Sequence, residues 1–527
     1  MMMAVKEKST TKSTTKSTKN TKIDTILEGS RKIPVEEDCD ILIVGGGAAG
    51  HSAAIAAARA GAKNIVLLER YGYMGGDVTG GYVIMVPNLS WYDKPFVRGL
   101  QEEWFTRLEK IPGAVAAPSL DEVGSTDPVL VYRWKSHMDC TSRGGYEGCK
   151  EACLVRSVYF EPNQLKIEMD KMLLEHKKAI KVMYHCYGVA PIMEKKTIKG
   201  VFYESKEGRK AITAKIVIDA TGDGDIYSRA GASYSSMSDE VTRANTTALV
   251  WRIGGCDNAA YAEWKALHPD EYMALRAGLA AKAGFRSIPI ASNDPTIMWM
   301  NNWHSNRDCA CVKDQTETEM NTRNTMREVL EYLREACPVA FGNAFLYDIA
   351  PQLGTRISKR LIGEYVMTPD DFAFAIEHDD VIAWHSTISQ LNDCGPVEIP
   401  YRALLPKKKE VENLIVAGRH FSADGIAIDW LDLIPQCVGT GQAAGVAAYM
   451  AVKEGKTAHD VNIKKVQDIL VDQNVPLPRN KKFEKLDPSY KKLVEKKKHG
   501  LYTANAKLAK ELRDAGKPID YKKFHHI

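Results

Sequence analysis

Residues 38–70 read DCDILIVGGGAAGHSAAIAAARAGAKNIVLLER, and the order of residue types in this stretch decides the fold. Ile41, Leu42, Ile43 and Val44 form an uninterrupted apolar run, the pattern of a parallel strand buried on both faces. Gly45, Gly47 and Gly50 follow in G-x-G-x-x-G spacing. The small residues of 49–60 predict a helix that stops at Gly61, and 64–68 predict a second strand ending in Glu69. Strand, glycine turn, helix, strand and acid together make a dinucleotide-binding unit. Gly45 permits the tight turn, Gly47 lets the backbone approach a pyrophosphate, and Gly50 lets helix and strand pack closely. The helix start offers unpaired N–H groups and a partial positive charge to phosphates. Glu69, nineteen residues after Gly50, suits a ribose diol and would repel a 2′-phosphate, which argues against NADP.

The residues that follow, ERYGYMGGDVTGG (69–81), separate NAD from FAD. An NAD domain would enter its next helix here. Gly72, Gly75, Gly76 and Gly80 instead keep the backbone exposed, as suits a chain lying against a second phosphate and a flavin ring. Here the chain resembles the FAD-dependent oxidoreductases broadly related to the fumarate reductase and succinate dehydrogenase flavoproteins. The resemblance implies an α/β fold: a Rossmann-like FAD-binding domain with a parallel sheet, interrupted by an inserted mixed α+β substrate or cap domain.

IDATGDGD (218–225) resembles the second FAD segment of that group, where the chain returns to the sheet near the pyrophosphate and ribose. Asp223 is the contact implied there, while Asp219 and Asp225 read as caps. NLIVAGR (413–419) and GTGQAAG (439–445) resemble a third segment, a buried strand followed by a small-residue helix aimed at the flavin. The intervening DGIAIDWLDLIPQC (424–437) departs from the family pattern, so the substrate pocket is expected to be this chain's own. The resemblance implies cofactor contacts at Gly45, Gly47, Ala48, Ala49, Gly50, Glu69 and Arg70, then at Gly75, Gly76, Asp77 and Thr79. It adds Val189, the turn Ala220, Thr221, Gly222 and Asp223, and late in the chain Gly418, Asp424, Gly439, Gln442 and Ala443. The segment 71–85 contains no histidine, so the FAD is expected to be non-covalent.

The domain boundaries that follow are a disordered basic tail (1–34), a first FAD-binding part (35–235), the inserted domain (236–396), a second FAD-binding part (397–478) and a basic helical extension (479–527). Residues 1–32 carry +5 and residues 479–527 carry +9, so the total of +4 leaves −10 for residues 33–478. Basic tails on an acidic body read as surface that clamps to an acidic core or subunit, or else as a nucleic-acid or membrane contact. No nucleic-acid motif supports the latter. No run approaches the ~20 apolar residues of a membrane span, and no apolar run follows the N-terminal charges as in a secretory signal. The cytoplasm is therefore the expected compartment, which suits eleven cysteines with no regular spacing.

Candidates for chemistry are few. Arg356 and Arg360 are four apart, on one face if their segment is helical. They either bind a carboxylate or enolate oxygen beside the flavin or form an ion pair with Glu364 or another acid. His304 and His420 are candidate proton donors or packing residues. Cys140, Cys149 and Cys153, with the C-x-C of Cys309 and Cys311, match no trusted metal or cluster spacing, and no metal is expected. The leading function is hydride transfer between flavin N5 and a small organic substrate. Alternatives are an electron-transfer subunit with a partner protein, and an FAD enzyme without net redox. A homo-oligomer, or a subunit of a complex, is expected.

Overall fold

A parallel sheet organises the chain. The structure is a computed structural model and describes residues 26, 28–87, 89–91, 94–95, 97–134, 142–143, 153–236, 247–374, 376–385, 396–489, 508 and 511–519. Val35–Val44 (β1) and Ile65–Leu68 (β2) flank the helix Ala48–Ala60 (α1) in sequence. Ile180–Met183 (β3) pairs with the outer edge of β2. Tyr187–Glu194 (β4), Thr197–Ser205 (β5) and Gly208–Asp219 (β6) form an antiparallel meander whose last strand pairs with β1 in parallel. The far edge of β6 is divided. Its first half pairs antiparallel with β5, and Val217–Asp219 pair in parallel with Leu414–Val416 (β7).

The apolar run of β1 is buried because each face of the sheet meets its own core. Ile41 and Ile43 pack with Ala53, Ile218 and Val446 on one side. Leu42 and Val44 pack with Val201, Tyr203 and Tyr227 on the other. Late in the chain, Gly425–Leu431 (α2) leads into Ile434–Glu454 (α3). α3 lies against α1 at backbone contact: a Cβ added to Gly441 would sit 2.1 Å from Ala49 O, and one added to Gly445 2.1 Å from Ala53 O. The small residues seen in both helices are what this approach requires.

Between the two halves of the parallel sheet, the intervening segment builds a separate four-stranded antiparallel sheet. Its order is Arg286–Ala291, Ile297–Trp303, Trp251–Gly254 and Phe345–Ile349. The helical spacing at 317–338 is realised as Val312–Ala336, with Met326, Val329, Leu330 and Leu333 buried and Met320 exposed. Thr247–Ala248 pairs with Gly354–Thr355 and, through the bridge Thr247–His304, carries this layer towards the strand ends of the main sheet.

Two expectations about local structure are corrected. The segment around Arg356 and Arg360 is extended, not helical: Gly354–Thr355 and Lys359–Leu361 are strands, the latter paired with Tyr234–Ser236. Pairing partners on neighbouring segments outweigh the four-residue spacing, and β-branched Thr355 and Ile357 suit that backbone. The two arginines therefore share no helix face. Second, α3 begins at Ile434 rather than at Gly439. Its first turn carries Pro435, Gln436 and Cys437, and Gly439 packs laterally against His385 and Ala383. Pro435 near the start is a helix-initiating signal.

Candidate cofactor and substrate site

Strand ends meet at one edge of the sheet. Gly45 N–H donates to Leu68 O (2.8 Å), Ala220 N–H to Val44 O (2.9 Å) and Ala417 N–H to Asp219 O (2.9 Å), so the turns after β2, β1, β6 and β7 are stitched together in sequence. Gly45 has φ +103° and an added Cβ would meet Ala220 O at 2.4 Å. At Gly50 a Cβ would meet Gly45 O at 1.7 Å. These two glycines are fixed by packing. Gly47 differs: no described residue lies within 4 Å of the place its Cβ would occupy. The start of α1 beside it has no side-chain cap and no acid in its first turn. Open ground over Gly47 and uncapped N–H groups at Ala48, Ala49 and Gly50 fit a pyrophosphate.

The second glycine turn lies alongside the first. Gly75 N–H donates to Gly46 O (2.9 Å), Gly75 and Gly76 take φ +105° and +56°, and the buried Thr79 hydroxyl donates to Met74 O. Glu69 is buried, with Oε2 accepting from Gly46 N–H (2.6 Å) and Oε1 from Tyr71 N–H (2.7 Å). Burial raises its pKa and these N–H groups oppose the shift. Arg70 next to it stacks over the Tyr71 ring at 4.9 Å. Val189 sits at the bulge of β4, where the register shifts between Gly188 and Ala190.

Arg419 joins three of the turns. Nη1 donates to Asp77 Oδ2 (3.1 Å), and Nη2 donates to Thr355 Oγ1 (2.6 Å) and Asp223 Oδ1 (3.4 Å). Its guanidinium lies over Gly222, whose added Cβ would sit 2.7 Å from Cζ. Gln352 Nε2 donates to Asp77 Oδ1 (3.2 Å), and Ser358 Oγ to Asp223 Oδ1 (3.2 Å). Burial raises the Asp77 pKa against the pull of Arg419. Sequence reasoning takes Gly418 from this turn and passes over Arg419, whose only local signal is its place at the end of a buried strand. Cys309 and Cys437 adjoin the same cluster. Burial pushes each thiol up to about 12, and the Arg419 guanidinium works against that.

The remaining expected residues are dispersed. Arg356 forms an ion pair with Asp432 (Nη2 to Oδ1 2.6 Å), the residue that follows α2, and not with Glu364. Its buried Nε has no hydrogen-bond partner among the described residues. Arg360 is buried in its own strand. His304 is buried, with Nε2 2.8 Å from Thr322 Oγ1 and its ring 3.8 Å from that of Phe285; burial lowers its pKa to about 4. The His420 ring is fully buried, with Nε2 3.5 Å from Asp219 Oδ1. Asp424 caps α2, accepting from Ile426 and Ala427 N–H, so its side chain is engaged in helix initiation. Gln442 is engaged by Leu100 N–H (3.3 Å) and Gln473 (3.0 Å), and Ala443 is buried in the α3 packing. Asp219 accepts from Thr221, Ile226 and Tyr227 and closes the turn that carries Asp223. Cys140 and Cys149 lie outside the described residues, as does the Cys153 side chain. Among the described residues, no group of three His, Cys, Asp or Glu could hold a metal ion, and no helix is long and apolar enough to cross a membrane.

Residues 40–470 match the FAD dependent oxidoreductase family. The chain belongs to that family. A urocanate reductase of Eggerthella lenta is 50% identical over 58 residues, 11% of this chain and only 9% of the relative's own length. Two solved structures are similar along most of their length. A geranylgeranyl bacteriochlorophyll reductase-like protein of Thermoplasma acidophilum has 15% identity and a TM-score of 0.43, covering 91% of this chain and 99% of the other. A myxobacterial chondrochloren halogenase has 12% identity and a TM-score of 0.41, covering 93% and 92%. As a family member the chain is an FAD-dependent oxidoreductase, and its cofactor site is to be sought among the turns described above.

Proposed function

We propose that this FAD-dependent oxidoreductase moves a hydride to or from a small, oxygen-bearing organic molecule held beside Arg356. Bound non-covalently along the turns of Gly45–Gly50, Gly75–Thr79 and Ala220–Asp223, FAD supplies a two-electron centre. Arg356 carries the reading. Its guanidinium is anchored on Asp432, its backbone follows Thr355 of the Arg419 cluster, and its buried Nε–H has no partner among the described residues. A buried donor left unpaired costs ~1–3 kcal/mol, so an oxygen that accepts from it is stabilised. Hydride transfer next to a carbonyl or carboxylate develops negative charge on oxygen. A fixed guanidinium meets that charge without having to deprotonate. Asp432 keeps the fork in place, while Arg360 serves the strand that carries it. Burial lowers the His304 pKa to about 4 and its Nε2 lies 2.8 Å from the Thr322 hydroxyl, so this reading gives it no part in proton transfer.

The test is anaerobic. Wild-type protein is screened with small keto, hydroxy and unsaturated acids for bleaching of the flavin or reoxidation of its reduced form. Arg356→Lys keeps the charge and loses the fork. Turnover of the responding substrate should fall at least tenfold with flavin content and visible spectrum unchanged. Full turnover in Arg356→Lys, or a flavin that answers only to a protein partner, ends this reading. Acid precipitation should leave the flavin in the supernatant; a flavin that stays on the chain refutes non-covalent binding.

A further inference from the structure

The structure assigns His420 a task other than proton transfer: we infer that it is a positioning residue, which holds the Asp219-closed turn in the shape that presents Asp223 to Arg419. The inference rests on the reading that this turn lies against the FAD.

Four donors converge on Asp219. Oδ1 accepts from Thr221 N–H (3.1 Å) and Thr221 Oγ1 (2.7 Å), and Oδ2 from Ile226 N–H (3.0 Å) and Tyr227 N–H (2.9 Å). The carboxylate is completely buried, and desolvation alone would push its pKa up, yet it is held below the usual range by His420, Thr221 and Tyr227. His420 is also completely buried. Among the described residues neither ring nitrogen makes a well-aligned hydrogen bond; Nε2 lies 3.5 Å from Asp219 Oδ1, a long contact that still favours the carboxylate, and the ring stacks on Tyr227 at 5.5 Å and 14°. Its main chain fastens a third segment, since Leu361 N–H donates to His420 O (3.1 Å). That segment contains Ser358, whose hydroxyl donates to Asp223 Oδ1 (3.2 Å). One residue thus touches the base of the turn through its ring and, through its backbone, the segment that carries the partner of the turn's tip. A histidine with Nε2 toward a buried carboxylate and one face covered by tyrosine is placed to orient a turn.

FAD affinity of apoprotein, read by quenching of flavin fluorescence, tests this. His420→Phe keeps the stacked ring and removes both nitrogens; it should weaken FAD about tenfold. His420→Gln restores a donor towards Asp219 and should recover affinity to within about threefold of wild type. Asp219→Asn should weaken FAD, and adding His420→Phe to it should cost little more, because the two act through one contact. In all variants that bind FAD, kcat at saturating FAD should stay near wild type. Wild-type affinity in His420→Phe overturns the inference, as does loss of kcat at unchanged affinity. If His420→Phe does not fold, the same cycle with His420→Gln decides: full additivity with Asp219→Asn overturns it. Gly47→Val separates the two layers of the argument. If it binds FAD as wild type does, the cofactor placement fails; if it loses FAD while His420→Phe does not, only the role of His420 fails.

Discussion

Glu69 and Gly47 carry the cofactor argument by different means, and their variants should differ accordingly. Glu69→Gln removes the charge that two backbone N–H groups approach at 2.6 and 2.7 Å and that a ribose would share. FAD affinity, measured by titration of apoprotein, should fall by ~1–3 kcal/mol. Gly47→Val places a side chain in the open ground over the turn and should be worse. The buried histidines make a separate prediction. Burial lowers His51, His304 and His385 from 6.5 to about 4. Between those values the unfolded chain binds protons that the folded chain refuses, so stability rises with pH across this window and is lost on acidification. The melting temperature should drop steeply from pH 6.5 towards pH 4. His304→Gln should flatten the drop by on the order of 1–3 kcal/mol at the acid end, read as a shift in the urea midpoint. The glycines and Glu69 were legible because their conformations and partners are set within a few residues. The Arg419 cluster was not: its acids, Asp77 and Asp223, lie 342 and 196 residues away in sequence.

Helices and strands were legible where one pattern ran unopposed. The apolar run marks the end of β1 but not its start, which lies six residues earlier at Val35, while the small residues of α1 and the capping Gly61 place that helix within a residue of its ends. The reading failed where tertiary pairing decides. The segment around Arg356 is extended because strands from elsewhere claim it, and α3 starts before its glycines because Pro435 initiates it. Gly441 and Gly445 of α3 instead serve the contact with α1. Gly441→Val would drive a side chain into Ala49 O, so the two helices must separate. We expect a loss of ~2 kcal/mol or more by chemical denaturation, and a larger loss for Gly441→Val/Gly445→Val together. A surface change on α3, such as Lys453→Ala, should leave the denaturation midpoint within ~0.5 kcal/mol.

The C-terminal extension is fastened to the rest of the chain through a buried acid. Arg479 donates to both oxygens of Glu398 at 2.7 Å, and Glu398, with a side chain only 1% exposed, also accepts from His378 N–H. Further along, Arg513 reaches Asp370 (3.1 Å). Basic residues clamping an acidic body is one of the two roles that the charge distribution allows, though only part of the extension lies within the described residues. Removing one partner strands a buried charge, so Arg479→Met should cost ~3–5 kcal/mol, and Glu398→Gln added to it should recover part of that. Thermal and urea unfolding of the single and double variants will show it. The divided edge of β6 bears on how the protein is made. Val217–Asp219 emerge from the ribosome early, yet β7, which pairs with them, follows about 195 residues later. At 5–20 residues per second that interval is roughly 10 to 40 s. Throughout it the nascent chain presents an unpaired edge beside an incomplete nucleotide cradle. With FAD placed as proposed, its capture waits until β7 has been made, and chains released short of residue 414 should not bind flavin.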